Sequence, residues 1–523
     1  IPTDNTAILK IVGSSNGRIF LCGKDGCVYE IAYQARNGWF TRKIRKLNHS
    51  HSVLRSFLPS FLFGGSDDPV YDIVIDETRS PILLYSFSRS TKTKKCRISV
   101  WSLGSDGSDM KLKCSKDGLL KSIQQHVATP INHRTFQIVK LSTIPRSQSE
   151  SIVLVAITNH GFRVFFSLDV NLYGTYKLSV KFVRLCPPYL EKPNGEHQPR
   201  SFMPDYKDIF SPRSVRKAYY HKGVLLLADS RSDRGDTLVG ITQEFIKQTH
   251  TSHATLLNEM VQTIHGGEYP RIQDIAEKPL SFYLYSTPGN LASFLYARGY
   301  NMPLDGLREF AVQHVLPSRQ FICLTVDGIQ TFEKSWPVDE LRELLKHNNY
   351  ALELKSFVDN YTMKEVCAMC LIIACSTPRH LQVASRVEDT KQIGVGLASS
   401  RLHSSYNATQ VGNGQIVADD SSNVKALAAS IFFEEGKNRG RQSHMTTAKH
   451  HQSVKKASPA RSPMGQLSDV YSAMYEGLSL YMSRLLRPLW DWSICKNVGS
   501  IDSPILQLRF SYDDFLTILT PLL

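Results

Sequence analysis

The sequence predicts a β-then-α chain, in which part of a β-propeller is followed by the start of an α-helical solenoid. Short apolar or alternating runs fill residues 1–336, and tight turns such as Lys24-Asp25-Gly26 and Asp327-Gly328 join them. Asp-Gly between two such runs is typical of a β-hairpin, because the turn needs residues that tolerate a positive φ. After Trp336 the apolar residues recur every three or four positions, which is the period of an amphipathic helix.

The β part is predicted to form propeller blades with long insertions rather than a sandwich. Roughly four strands recur every 50 to 80 residues, and their number exceeds what one sandwich holds. The predicted strands include Ala7–Val12, Arg18–Gly23, Cys27–Tyr33, Val70–Asp76, Ile82–Phe87, Arg97–Leu103, Phe136–Leu141, Tyr176–Leu185, Val224–Ala228 and Thr237–Thr242. The stretch 288–315 departs from this pattern, because its apolar residues have helical spacing. We expect a helical insertion between blades there.

The α part is predicted to begin with the helix Pro337–Lys346, which has Pro in its first turn, acids early and a base late. Further helices are predicted at Lys364–Cys375, Asn423–Glu435, Leu467–Leu485 and Ser511–Leu519. Helices in succession after a β region are typical of an α-solenoid. The expected limits are first solenoid helices at 337–376, a polar linker at 377–422, a helix at 423–435, a basic disordered loop at 436–463 and further, truncated solenoid helices at 464–523.

The composition indicates a globular chain whose cysteines are reduced. Of its 523 residues 42% are apolar, and its ten cysteines are scattered through apolar runs, as small buried residues of cytosolic or nuclear proteins are. The longest apolar run, Val366–Cys375, is far shorter than the ~20 residues that a membrane span needs. The chain begins with Ile1 and ends in the middle of a pattern, so we expect it to be a fragment of a longer protein.

No reaction centre is expected from the sequence. It contains no Walker A loop, HExxH, GxSxG or Rossmann glycine set, so we expect neither an enzyme nor a cofactor nor a small-molecule substrate. Cys367 and Cys370 form a CxxC pair inside an apolar helix. A zinc site would need two more ligands with partner spacing, so core packing is the better interpretation.

The segment Lys437–Pro463 is strongly basic. It holds seven of the fifteen excess positive charges of the chain and no Asp or Glu. Because no aromatic residue lies between these charges to stack on bases, a flexible linker is favoured over a specific nucleic-acid site. Ser458 and Ser462 each precede a proline and resemble proline-directed kinase sites, where a phosphate would offset the local positive charge. They are candidate phosphorylation sites.

The segment Ser52–Phe63 has helical spacing with one apolar face. The opposite face is rich in serine and nearly uncharged, and it is formed by Ser52, Arg55, Ser56 and Ser60. Such a helix inserts into lipid-packing defects rather than binding charged headgroups. The alternative is a loop helix packed on the propeller, and Pro59 weakens any continuous helix. The candidate membrane-contact residues are Val53, Leu54, Phe57, Leu58, Phe61 and Leu62.

Several blocks of the sequence resemble the nucleoporin 155 family, the large non-FG scaffold nucleoporins of the nuclear-pore inner ring. These blocks are Ile1–Thr6, Asn16–Gln34, Gly38–Phe40, Lys46–Ser50, His221–Ser230, Val312–Leu345, Leu371–Thr377 and Glu476–Asp491. The resemblance implies a propeller of seven blades followed by a long helical solenoid, of which this fragment would lack the first blades. It also implies no enzymatic activity.

The resemblance further implies a place at the nuclear envelope, in the inner ring of the nuclear pore complex, in support of protein and RNA transport. The expected partners are other inner-ring nucleoporins and the pore membrane, which the family contacts through an amphipathic propeller loop. The segment Ser52–Phe63 falls where that loop would be, and 436–463 matches a low-complexity insertion of the family. The stretch 377–422 is longer and more polar than the family pattern. A vesicle-coat subunit is the alternative, because such coats also combine propellers with solenoids.

Overall fold

A computed structural model describes the fold of most of the chain. The described residues are 6–33, 44–49, 68–104, 110–128, 130–132, 134–187, 189–190, 209–232, 235–243, 249–251, 254–256, 259–263, 271–279, 309–314, 318–347, 350–375, 395–397, 402–403, 420–437, 471–491, 495–497 and 505–508. The chain divides into two compact units. Unit 1 comprises 1–243, 259–276 and 323–329, and unit 2 comprises 244–258, 277–322 and 330–523.

Three antiparallel sheets of four strands follow one another at the start of the chain. Each has its strands in sequence order, so each is an up-and-down meander. Sheet 1 contains β1 (Ile8–Gly13), β2 (Ile19–Gly23), β3 (Val28–Tyr33) and β4 (Ile44–Asn48). Sheet 2 contains β5 (Val70–Asp76), β6 (Ile82–Arg89), β7 (Cys96–Leu103) and β8 (Lys111–Lys116), and helix α1 (Leu119–Gln124) follows it. Sheet 3 contains β9 (Ile138–Thr143), β10 (Ile152–Thr158), β11 (Arg163–Val170) and β12 (Tyr176–Arg184).

Two further large sheets follow after a short two-stranded sheet, β13 (Tyr189–Leu190) with β14 (Ile209–Phe210). Sheet 4 has the order β15 (Val215–His221), β16 (Val224–Ser232), β17 (Gly235–Gln243) and β20 (Glu259–Thr263), and β18 (Thr249–Thr251) pairs with β19 (Ala254–Leu256). Sheet 5 has the order β21 (Ile272–Glu277), β22 (Arg319–Thr325), β23 (Gly328–Lys334), β24 (Val395–Leu397) and β25 (Leu402–His403). Strands β23 and β24 are parallel.

The apolar core of unit 1 lies between neighbouring sheets, as it does in a propeller. One cluster joins sheets 1 and 2, a second joins sheets 2 and 3 with α1, and a third joins sheets 3 and 4. The first strands of these sheets, β1, β5, β9 and β15, contact one another in order. Full burial of one large side chain such as Phe166 contributes about 1.5–3 kcal/mol relative to exposure. The sheets are therefore stacked face to face as blades.

The described part of the chain contains five blades rather than the seven that the family resemblance implies for a whole propeller. The prediction of a propeller followed by helices is confirmed, whereas the described residues form five blades and not seven. The helical insertion predicted at 288–315 lies mostly outside the described residues. Its described part is one short helix, α2 (Glu309–Val312).

Helices follow sheet 5 and build the core of unit 2. They are α3 (Pro337–Leu345), α4 (Tyr350–Tyr361), α5 (Met363–Ala374), α6 (Asp420–Glu434) and α7 (Ala473–Asp491), and a hairpin of β26 (Cys495–Asn497) and β27 (Leu506–Leu508) comes after them. The starts of α3 and α5 lie where the sequence predicts helices, whereas α4 was not predicted. The predicted helix Ser511–Leu519 lies outside the described residues, and the domain limits drawn from the sequence stay predictions.

Helices α5 and α7 pack so closely that only glycine fits at their contact. A Cβ atom at Gly477 of α7 would lie 2.4 Å from the Cβ of Cys367 on α5. Arg484 of α7 also donates Nη2 to both carboxylate oxygens of Glu365 on α5, at 2.8 and 2.7 Å. The two helices are thus held by direct backbone approach and by an ion pair that is largely shielded from solvent.

Candidate functional site

The turns after the first strands of sheets 1, 2 and 3 are joined to one another by hydrogen bonds. The backbone N–H and hydroxyl of Ser15, in the turn of sheet 1, donate to Glu77 in the turn of sheet 2 at 2.6 and 3.0 Å. The backbone N–H of Arg146, in the loop of sheet 3, donates to Thr78 Oγ1 at 2.9 Å. Side chains of one turn therefore position the next, which fixes the rim that these turns form.

Arg79 lies in the turn of sheet 2 and forms hydrogen bonds within sheet 2 and to sheet 3. Its Nε donates to Asp76 at 2.9 Å, and its Nη1 and Nη2 donate to three backbone carbonyls of the β9–β10 loop and to that of the first residue of β10. The carbonyls are those of Ile144, Ser149, Glu150 and Ile152. Because the side chain of Asp76 is only 1% exposed, Arg79 both neutralises a buried carboxylate and ties sheet 2 to sheet 3. The flat, forked guanidinium can donate to all of these acceptors at once, whereas the compact ammonium group of a lysine could not reach them together.

The first strands of the five blades share one local pattern, which the sequence reading missed. Each contains four consecutive residues in the same order: an apolar residue, a residue of any type, a Lys or Asp, and a second apolar residue. In sheets 1 to 4 the strand register shifts just before the charged residue, and such a bulge re-aims the side chain that follows it. The charged residues are Lys10, Asp72, Lys140, Lys217 and Asp274.

Charges of opposite sign interact between the inner strands of sheets 2 and 3. Asp72 Oδ2 accepts the backbone N–H of Leu141 at 2.7 Å, which joins sheets 2 and 3 a second time. Burial raises the pKa of Asp72, and the nearby Lys140 ammonium opposes this rise. Burial likewise lowers the pKa of Lys140, and the Asp72 carboxylate opposes that change. The pair therefore fixes the alignment of two blades through hydrogen bonding and charge.

Glu30 is the centre of a buried ion cluster in sheet 1. Arg18 donates Nε and Nη2 to its two oxygens at 2.7 and 2.9 Å, and His49 Nε2 lies 2.8 Å from Oε2. Burial alone would raise the pKa of Glu30, but the hydrogen bonds and charges of Arg18 and His49 outweigh it and hold the pKa below 4.5. The cluster joins the start of β2, the middle of β3 and the end of β4.

The Glu30→Gln variant is expected to lose less stability on acidification than the unmodified protein. A carboxylate with a lowered folded pKa contributes stability above its unfolded pKa, and this contribution is lost as the pH falls through the folded pKa. The glutamine lacks that contribution at every pH. Urea midpoints of both proteins should therefore differ most near neutral pH and converge below pH ~4. A constant difference across this range would contradict the role given to Glu30.

The CxxC pair lies in the helical core, as the sequence predicts. Cys367 and Cys370 are both fully buried on α5, and burial raises the pKa of the Cys367 thiol to about 12. The side chain of Cys367 packs against the backbone of two glycines, Gly436 and Gly477. A small side chain is needed there, so packing accounts for the residue type.

Within the described ranges, no group of three or more His, Cys, Asp or Glu side chains is arranged to hold a metal ion. None of the helices among those residues is long and apolar enough to cross a membrane. The ion clusters at Glu30, Asp76 and Asp72 all join strands or blades. These three clusters therefore connect elements of the structural framework of unit 1.

The residues singled out from the sequence as candidate sites lie outside the described residues. This holds for the apolar face of Ser52–Phe63 and for the two serines Ser458 and Ser462. Their roles stay predictions. The sequence reading missed Arg79, whose only signal was the short spacing from Asp76 within a turn.

Comparisons with known proteins agree with this framework. A family model described as Nucleoporin_N, Nup133 N-terminal like, matches residues 1–280, which is more than half of the chain. The chain belongs to this nucleoporin family. The match covers the first four blades of the propeller and the start of the fifth.

Relatives of this nucleoporin are similar along almost the whole chain. Nup154 of Drosophila melanogaster is 26% identical over 534 residues, which cover 97% of this chain and 37% of that protein. NUP170 of Chaetomium thermophilum is 25% identical over 528 residues, which cover 94% of this chain and 32% of that protein. The chain thus spans about a third of the length of these relatives. Their names identify them as nucleoporins of the nuclear pore.

A solved structure has the same fold. It is the N-terminal domain of Chaetomium thermophilum Nup170 in complex with Nup53, at 20% identity and a TM-score of 0.66, and it aligns with 100% of this chain and 62% of its own length. This likeness supports the order of a propeller followed by helices.

Proposed function

We propose that this nucleoporin chain is a structural part of the inner ring of the nuclear pore complex at the nuclear envelope. The observation that carries the proposal is the family match over residues 1–280, which include the first four blades, in a chain where helices follow the blades. It acts as a scaffold rather than an enzyme, and it supports the transport of protein and RNA by holding the pore open. In the full protein, these helices continue into a longer solenoid.

The geometry suits a scaffold because neighbouring blades are joined by more than apolar packing. Arg79 and Asp72 each connect sheet 2 to sheet 3, and Ser15 connects sheet 1 to sheet 2. Buried charges that hydrogen-bond across elements resist sliding of one blade on the next, since any shift leaves them unpaired. A propeller held in this way presents rim and face surfaces whose shape is constant.

The partners of the chain are other inner-ring nucleoporins, including a protein of the Nup53 kind. The Nup170 domain of the same fold was solved in complex with Nup53, which supports this choice. Crosslinking mass spectrometry on assembled pores should find crosslinks from the propeller and helices to inner-ring nucleoporins. Crosslinks to vesicle-coat subunits in their place would contradict the proposal.

The segment Ser52–Phe63 is proposed to contact the pore membrane through its apolar face. We expect the double variant Phe57→Asp with Phe61→Asp to reduce flotation of the protein with small, highly curved vesicles. Two charges on the apolar face oppose insertion, whereas salt should matter little because the segment carries few charges.

The control for this variant is Ser56→Asp with Ser60→Asp, which adds the same charge to the polar face. The control should float like the unmodified protein. Equal flotation of all three proteins would show that the segment has no part in membrane contact. Equal loss in both double variants would show that added charge alone, rather than the apolar face, controls binding.

Ser458 and Ser462 are proposed to be phosphorylated by a proline-directed kinase. Each phosphate would remove part of the positive charge of the basic loop, and so weaken its attraction to acidic surfaces. Phosphopeptide analysis of dividing cells should find both serines modified. Finding both always unmodified would rule out this regulation.

A further inference from the structure

The hairpin between β11 and β12 ends in a tip that exposes two large apolar side chains. The relative exposure of Leu172 is 102% and that of Tyr173 is 92%, and the neighbouring Val170 is 53% exposed. Apolar side chains are common on protein surfaces, but two adjacent large ones that are almost fully exposed at the end of a hairpin are not. The hairpin therefore presents a small apolar tip to its surroundings.

The tip has a well-defined backbone. The Asn171 side-chain oxygen accepts the N–H groups of Tyr173 and Thr175 at 3.0 and 2.8 Å, and the Gly174 N–H donates to the Asn171 carbonyl at 3.0 Å. Gly174 has a φ of 71°, which closes the turn without strain. The turn thus holds Leu172 and Tyr173 at its outermost point, so that binding costs little ordering of the backbone.

Exposed lysines lie behind the tip on two adjacent outer strands. Lys177 and Lys181 are on β12, and Lys111 and Lys113 are on β8 of the preceding blade, whose strand contacts β12. The Nζ atom of Lys113 lies 5.4 Å from the ring centre of Tyr176, at the base of the tip. Asp169 is the register partner of Lys177 and offsets one of these charges. The surface behind the tip is therefore net positive.

We propose that the β11–β12 tip inserts into an anionic lipid surface, with Leu172 and Tyr173 in the acyl–headgroup boundary and the lysines at the headgroups. A protruding tip has no walls to enclose a peptide, whereas a bilayer accepts a convex apolar group. Tyr is favoured at the membrane interface, and each nearby Lys adds electrostatic attraction to an anionic surface. This site is separate from the proposed Ser52–Phe63 contact and does not require it.

Flotation with large vesicles tests this site, because low curvature leaves few packing defects for Ser52–Phe63. The 523-residue chain should bind phosphatidylcholine vesicles that contain phosphatidylserine, and it should bind pure phosphatidylcholine much more weakly. The variant Leu172→Ser with Tyr173→Ser should lower the bound fraction on anionic vesicles about tenfold, equivalent to about 1.4 kcal/mol. Lys113→Gln with Lys177→Gln should also weaken binding and reduce its dependence on salt.

The matched control is Leu352→Ser, which removes another highly exposed leucine, 81% exposed on α4. It should bind like the unmodified chain, and the tip, lysine and Leu352 variants should keep the melting temperature of that chain because their changed side chains are exposed. Binding of the tip variant equal to that of the unmodified chain would overturn the inference, as would failure of the unmodified chain to bind anionic vesicles. Tip-dependent capture of an acidic peptide or RNA without vesicle binding would also overturn it. The variant Phe57→Asp with Phe61→Asp should retain this anionic binding, which keeps the two membrane proposals distinguishable.

Discussion

The Arg79→Met variant is expected to lower the free energy of unfolding by about 3–5 kcal/mol, since it removes one partner of a buried ion pair. Methionine keeps much of the aliphatic part of the arginine side chain but none of its hydrogen-bond donors. Asp76 would stay buried with Thr78 as its one remaining donor among the described residues, and four carbonyls between Ile144 and Ile152 would lose a donor. Urea denaturation followed by circular dichroism measures this loss.

Arg97→Met is the control for that experiment. Arg97 also pairs with an aspartate, Asp117, at 2.6 Å, but both side chains are more than half exposed. Exposed pairs of this kind contribute about 0–1 kcal/mol, so the control should be nearly as stable as the unmodified chain. Arg79→Lys should fall between the two, because it keeps the charge beside Asp76 without the forked donors. Equal stability of the two methionine variants would contradict the account of Arg79.

The Gly477→Val variant is expected to destabilise the helical unit by about 3 kcal/mol through overpacking. An added Cβ would lie 2.4 Å from the Cβ of Cys367 and 2.9 Å from the backbone carbonyl oxygen of Lys364. Both of these residues belong to α5. Helices α5 and α7 would have to move apart, which also strains the Arg484–Glu365 ion pair. Thermal unfolding followed by circular dichroism at the helix band should show a lower midpoint.

Gly13→Val provides the comparison at an open glycine. A Cβ at Gly13 would have only the Arg18 carbonyl within 4 Å, at 3.9 Å, and Gly13 lies at the end of a strand, where valine is well tolerated. This variant should leave the helix-band midpoint unchanged. A midpoint for Gly477→Val equal to that of the control would show that the close approach of α5 and α7 is not essential.

The sequence predicts the blade interiors well because their middle strands are buried on both faces. Strand β10, for example, reads IVLVAIT, which is an almost continuous apolar run, and the glycines of the predicted turns have positive φ, for example Gly26 at 81°. Of the outer strands, β12 lies where the sequence predicts a strand, whereas β4 and β8 were missed. The outer strand β8 reads KLKCSK, and its lysines face solvent, which hides the strand from a search for apolar runs.

Other elements were missed because their stability comes from contacts between distant residues. Helix α4 buries only Leu354, Phe357 and Tyr361, so its apolar face is too narrow to stand out in the sequence. The β15–β16 hairpin turns through Lys222 and Gly223, both with positive φ, although lysine is an unusual choice for the first position. Arg79 acts on carbonyls about 65–73 positions away, and no local pattern encodes such contacts.

Imaging of the tagged full-length protein in cells tests the central claim that this nucleoporin chain is a pore scaffold. The account predicts a punctate rim at the nuclear envelope that coincides with other inner-ring nucleoporins and persists between divisions. A signal on Golgi or endosomal vesicles without a nuclear rim would contradict it and would assign the propeller and helices to a vesicle coat.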